Sequence, residues 1–191
     1  MTETIYDVEP GRELRRVTIG AGEARAAVYR REFAADIQDV WEACTQPERL
    51  KRWFLELSGD LRVGGRVELT GVVTGQILRC EPPHVARMTW EYRDYPVDEV
   101  ELRLSQVGPG QTLLELEHAT VKLTEEWDGE LLDALVNMSS GWEPALIALD
   151  LDLRGDLPAD NTLASFRARP EIVAAIDRAK AAWGNIVAGN G

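Results

Sequence analysis

The residue whose type and position could most directly do chemistry is His118. Polar and apolar residues alternate through 112–120. That places Thr112, Leu114, Leu116 and His118 on one face of a strand and Glu115 and Glu117 on the other. An imidazole on an apolar face can hydrogen-bond a ligand or act as acid or base near neutral pH. It can equally sit buried, satisfied by protein or water. The second histidine, His84, adjoins Pro82 and Pro83 and reads as a turn residue. Cys44 and Cys80 show no metal or redox spacing and read as small buried hydrophobes. With two histidines and no paired cysteines, a metal site would need a set of carboxylates, so neither metal nor cofactor is expected. No Ser-His-Asp, Cys-His or paired-carboxylate constellation stands out, and no catalytic residue is nominated. The glycines at 64–65 and 108–110 lie in hairpin turns, outside the strand–loop–helix context of a phosphate loop.

A second group of residues suits binding rather than catalysis. Trp53, Met88, Trp90, Tyr92, Leu102, Leu116, Trp142, Leu146 and Leu149 join His118 as candidate ligand-binding residues. Pockets for apolar molecules are built from such side chains with a few polar anchors. The same side chains can also fill a core.

The elements that must position them follow from periodicity. A first strand at 26–33 pairs with an N-terminal strand at 14–19 across Gly20, Ala21 and Gly22. Two short helices come next. Asp36 is placed to cap the first, whose buried side is Val40, Trp41 and Cys44. Thr45 and Glu48 form a capping box for the second, whose apolar side is Leu50, Trp53 and Phe54. The period then changes to two. Val67 and Leu69 alternate with polar neighbours, 72–80 reads as a further strand, and 85–92 sets Ala86, Met88, Trp90 and Tyr92 on one face. In 99–104, Val100, Leu102 and Leu104 point inward. Successive strands with short turns describe an antiparallel meander with one wet face and one dry face that needs a cover. Ser140 to Glu143 reads as a capping box. Trp142, Leu146, Leu149 and Leu153 then form one helical stripe, with Asp150 and Asp152 on its solvated side. Residues 125–138 look helical. A last helix begins near Pro170, with Ile172, Ile176, Ala179, Trp183 and Ile186 as its stripe, packed on its own domain.

The 191 residues carry 33 Asp and Glu against 21 Lys and Arg, a formal net charge of -12. Such a field repels phosphate backbones and anionic lipid, so neither nucleic acid nor membrane is an expected partner. No apolar run reaches the roughly 20 residues that span a bilayer. Residues 1–11 lack the basic-then-apolar order of a signal peptide, and a cytoplasmic location is expected.

Several stretches, in order, resemble the activator-of-heat-shock-protein-90-ATPase-like domains of the START-like (SRPBCC) superfamily. They are Arg31-Glu32-Phe33, Val40-Trp41, Thr45-Gln46-Pro47-Glu48-Arg49-Leu50 and Trp53-Phe54. Gly64-Gly65, Gly75, Glu81-Pro82, Trp90, Thr112, Leu114, His118 and Gly141-Trp142 continue the match. It spans roughly residues 24–155, with 125–138 as an insertion and 161–191 beyond the family core. The resemblance implies an α+β helix-grip fold. A curved antiparallel sheet of about six strands, plus the N-terminal one, wraps a long C-terminal helix. The expected organisation is one START-like domain over 1–158 and a C-terminal extension, 159–191, with one amphipathic helix. The implied function is non-enzymatic binding of a small hydrophobic molecule between sheet and helix. The alternatives are a chaperone co-factor or stress-response module with a protein partner, and a cyclase- or hydrolase-type enzyme using His118.

Overall fold

In a computed structural model, residues 5–6, 10–93, 96–121, 129–158 and 161–189 are described. The chain forms β1 (Gly11–Ile19), β2 (Gly22–Phe33), α1 (Ile37–Thr45), α2 (Pro47–Trp53), β3 (Leu57–Gly59) and β4 (Arg66–Leu69). Then come β5 (Val73–Glu81), β6 (Val85–Trp90), β7 (Asp98–Gly108), β8 (Gln111–Thr120), α3 (Gly129–Arg154), α4 (Leu163–Arg167) and α5 (Pro170–Gly189). The strands make one antiparallel sheet in the order β1-β2-β8-β7-β6-β5-β4-β3. This is the helix-grip architecture: an open curved sheet closed by a long helix. The N-terminal hairpin forms with Ile19 opposite Gly22, whose positive φ of 122° suits the missing side chain. The eighth strand, β3, has three residues and carries no alternation that could have announced it.

The dry face is the one that alternation identifies. Leu102 lies opposite both Ala86 and Leu116, and His118 lies between Ala27 and Val100. The other face is less wet than expected. Glu99 and Glu101 are buried there, paired with Arg87 and Arg103. Arg15, Arg30 and Arg103 converge on Glu115. Opposite charges on neighbouring strands thus cover this face beside a small apolar cluster of Ile19, Ala24, Ala26, Val28 and Ala119.

The expected caps do not form. Asp36 is the N-cap of α1, but its side chain makes no capping bond. Gln46, not Thr45, caps α2, and the Thr45 hydroxyl instead donates to the Trp41 carbonyl. The helix expected to start at Ser140 is the second half of α3, which runs unbroken from Gly129 through Pro144. The expected insertion therefore contributes the first turns of α3, while its residues 125–128 lie outside those described. Glu143 caps nothing; it is buried and receives Arg12 from β1 at 3.0 Å. Asp150 and Asp152 are buried too, not solvated. Asp150 takes Arg31 of β2 at 3.0 Å, and Asp152 takes Arg52 of α2 at 2.9 Å. The cause is that α3 is covered beyond the sheet as well: α5 packs along it and touches β1, and α1, α2 and α4 also pack against it. Ile172, Ala175, Ala179, Trp183 and Val187 form its buried stripe. The Trp183 ring meets Tyr29 of β2 edge-on, 5.4 Å between centroids.

Candidate functional site: an aromatic-walled cavity

Between α3 and the β4–β8 half of the sheet the side chains leave a cavity of about 190 Å³. Its floor is Val67 and Leu69 of β4, Ile77 of β5, Ala86, Met88 and Trp90 of β6, Val100 and Leu102 of β7, and Leu114 and Leu116 of β8. Its roof is Trp142, Ala145, Leu146 and Leu149 of α3. Cys44, Leu50, Trp53 and Phe54 close the side formed by α1 and α2, and Leu57, Leu61, Arg79, Cys80 and Arg87 complete the lining. The period-two faces put the floor side chains inward. The α3 residues recur at helical spacing, which puts them above it.

Four aromatic rings run along one wall. Trp53 stacks on Phe54 and Phe54 on Trp142, each at 5.5 Å, and Trp142 meets Trp90 at 5.4 Å. Two of the indoles are pinned at their nitrogens. Trp53 Nε1 donates to the Ala43 carbonyl at 3.0 Å, and Trp142 Nε1 donates to His118 Nδ1 at 3.1 Å. Buried aromatic groups with a polar handle characteristically find such partners.

The polar groups around the cavity are committed elsewhere. The Thr45 hydroxyl donates to backbone, Arg79 pairs with Glu81, and Arg87 pairs with Glu99. His118 spends both ring nitrogens: Nδ1 accepts from Trp142 and Nε2 faces Asp98 Oδ2 at 3.2 Å. Of the two thiols in the lining, burial pushes that of Cys44 up to about 12, which keeps it a neutral thiol. Cys80 is exposed rather than buried as its type suggested. Among the described residues, no group of three or more His, Cys, Asp or Glu side chains could hold a metal ion.

Of the sequence candidates, Trp53, Met88, Trp90, Leu102, Leu116, Trp142, Leu146 and Leu149 meet at the cavity. Tyr92 and His118 are not in its lining. Tyr92 packs at the core's edge under the Arg93 guanidinium, and His118 lies behind Trp142. Sequence reasoning passed over Phe54, Val67, Leu69 and Leu114 as lining, although the apolar side of α2 and the alternation of β4 and β8 already pointed them inward. It could not find Ala145, Cys80 or Leu61, whose types carry no such signal.

A profile of the family described as Activator of Hsp90 ATPase homolog 1-like protein matches residues 34–151. The chain belongs to that family. The match runs from α1 to the last turn of α3, so it contains the whole lining of the cavity. CalU16 from Micromonospora echinospora is similar at 43% identity over 93% of this chain and 98% of that one, with a TM-score of 0.77 in its crystal structure. At that coverage the similarity extends well beyond the residues matched by the family profile. An HSP90 activator from Plasmodium falciparum shares the fold at 23% identity and TM-score 0.51, covering 61% of this chain and 86% of that one. DynU16, from the dynemicin biosynthetic locus, shares it at 20% identity and TM-score 0.60, covering 70% of this chain and 49% of that one. A comparison with curated proteins finds no match. No helix among the described residues is long and apolar enough to cross a membrane.

Proposed function

We propose that this chain is a cytoplasmic, non-enzymatic binding module that holds a small hydrophobic molecule between the sheet and α3. One observation carries the reading. The fold leaves about 190 Å³ open between the dry face of the sheet and α3, lined by apolar and aromatic side chains whose polar neighbours are already paired. A cavity of about 150 Å³ with an aliphatic and aromatic lining admits benzene, so a one- or two-ring molecule fits here. The aromatic wall favours flat, unsaturated groups, which stack with ring centroids about 4.5–7 Å apart. The relation to DynU16 supports a small-molecule role, since that protein's locus is biosynthetic. The family description and the Plasmodium relative support a second reading, a chaperone co-factor with a protein partner. It is ranked below the first because the cavity has no place in it. An enzyme using His118 is ranked last, because neither imidazole nitrogen is free.

Cys80 makes the test direct, because it lines the cavity and is exposed. Its reaction with a thiol reagent would be timed with and without neutral aromatic probes such as naphthalene and biphenyl. Binding is expected to slow labelling of Cys80 severalfold, and Leu146→Trp, which fills the space, is expected to remove the protection. Labelling rates indifferent to every probe, with no probe retained in native mass spectra, would refute the binding module.

A further inference from the structure

The cavity wall contains a ring whose orientation is set from behind by residues that do not touch the cavity. Trp142 hangs from α3 between Phe54 and Trp90. Apolar packing does not choose strongly between orientations of such a ring, because the outer torsion of Trp is broad and has no sharp staggered wells. Here a hydrogen bond chooses. The indole can only donate and a carboxylate can only accept, so Trp142, His118 and Asp98 connect in one direction. Trp142 Nε1–H donates to His118 Nδ1 at 3.1 Å. The imidazole must then carry its proton on Nε2, which donates to Asp98 Oδ2 at 3.2 Å. His118 is 4% exposed, and the other Asp98 oxygen, Oδ1, is buried with no partner. The carboxylate therefore leans on the His118 N–H, which fixes the tautomer that Trp142 needs.

We propose that His118, held by Asp98, is a positioning residue that fixes the Trp142 indole in the cavity wall and thereby sets which ring systems the cavity admits. The proposal rests on the binding reading above and adds its determinant of selectivity. It also explains why a buried imidazole and a half-buried carboxylate stand on the dry face of β7 and β8, where an aliphatic pair would pack without polar debts. Only a group with an acceptor and a donor side by side can link an indole to a carboxylate. A histidine of one tautomer does so, and so does a primary amide.

The experiment uses the full chain and three variants. His118→Leu removes both bonds. His118→Gln keeps an acceptor and a donor. Asp98→Asn keeps the shape but can donate to Nε2, which opens the Nδ1–H tautomer and with it the loss of the Trp142 bond. Solvent exchange of the Trp142 indole proton is read by nitrogen-resolved NMR, assigned with Trp142→Phe. It is expected to rise at least about tenfold in His118→Leu and Asp98→Asn and to return toward wild type in His118→Gln. In parallel, the ratio of dissociation constants for naphthalene and biphenyl is expected to shift at least about fivefold in the first two variants and recover in the third. A merely structural histidine would change stability without moving that ratio. Unchanged indole exchange in Asp98→Asn, which preserves size and shape, would overturn the proposal. So would altered exchange with an unaltered probe ratio. Failure of both probes to bind the wild-type protein would overturn the binding reading and the selectivity role together, while the exchange data would still decide whether His118 holds the ring.

Discussion

Two buried aspartates of α3, two residues apart in sequence, are expected to respond differently to removal. The Asp150 side chain lies against Arg31 at 3.0 Å, and the Arg31 side chain is 1% exposed. Asp150→Ala removes that carboxylate from beside the buried guanidinium. Arg31 keeps its bond to the Ile5 carbonyl but loses the Asp150 oxygen at 3.0 Å. Breaking a buried pair from one side costs about 3–5 kcal/mol, so Asp150→Ala is expected in that range. Asp152 differs although its side chain is 0% exposed. Its nearest cations, Arg52 at 2.9 Å and Arg49 at 3.7 Å, reach solvent themselves, and neither carboxylate oxygen receives a well-aligned hydrogen bond. Burial pushes this carboxyl above its ordinary range, against the pull of Arg52 and Arg49. A carboxyl raised in the folded state favours folding at low pH, and that contribution is lost as pH rises through the raised value. Asp152→Asn abolishes the loss. It is expected to cost at most about 0.5 kcal/mol at pH 7, and to improve steadily relative to wild type from about pH 4 upward. Urea unfolding of both variants across that pH range supplies the numbers. Replacing both Arg31 and Asp150 with apolar residues (Arg31→Met with Asp150→Leu) should recover most of the Asp150→Ala loss. An Asp150→Ala cost under about 1 kcal/mol, or an equal cost for Asp152→Asn, would show that these charges are better hydrated than their burial implies.

Two further expectations concern packing. Trp183→Ala removes a fully buried ring from the α5 contact with Tyr29; a loss of about 3–5 kcal/mol in chemical denaturation is expected, with earlier proteolytic cleavage ahead of α5. At Gly75 an added Cβ would sit 2.0 Å from the Thr89 carbonyl oxygen of β6. Gly75→Ala should therefore cost about 1–3 kcal/mol in thermal unfolding by forcing β5 away from β6, and it should alter the Met88 side of the cavity, where the probe affinities would register it.

What could be read from the chain alone divides along the range of the forces involved. The faces of β6, β7 and β8 were legible because alternation is a local consequence of the pleat, and every inward residue named there points inward. The cap at Ser140 was misread for the complementary reason. Glu143 satisfies a local pattern, yet its partner is Arg12, 131 residues away. Asp150 and Asp152 fell on the side of α3 away from its leucine stripe, and charge there ordinarily means water. That inference assumes one covered side. Residues 142–152 of α3 are buried on every side, because α5, α1, α2 and α4 pack around the helix beyond the sheet. A helix enclosed all round must find a cation for each carboxylate it carries, and the cations come from β1, β2 and α2. These contacts bear on the cavity itself. They tie α3 to the β1–β2 half of the sheet and to α2, and the bond from Trp142 to His118 ties it to β8. Among the described residues, no ion pair of α3 reaches β4–β6. The pairs that position the roof join residues far apart in sequence, which is why the lining residues were legible by type while the opening between them was not.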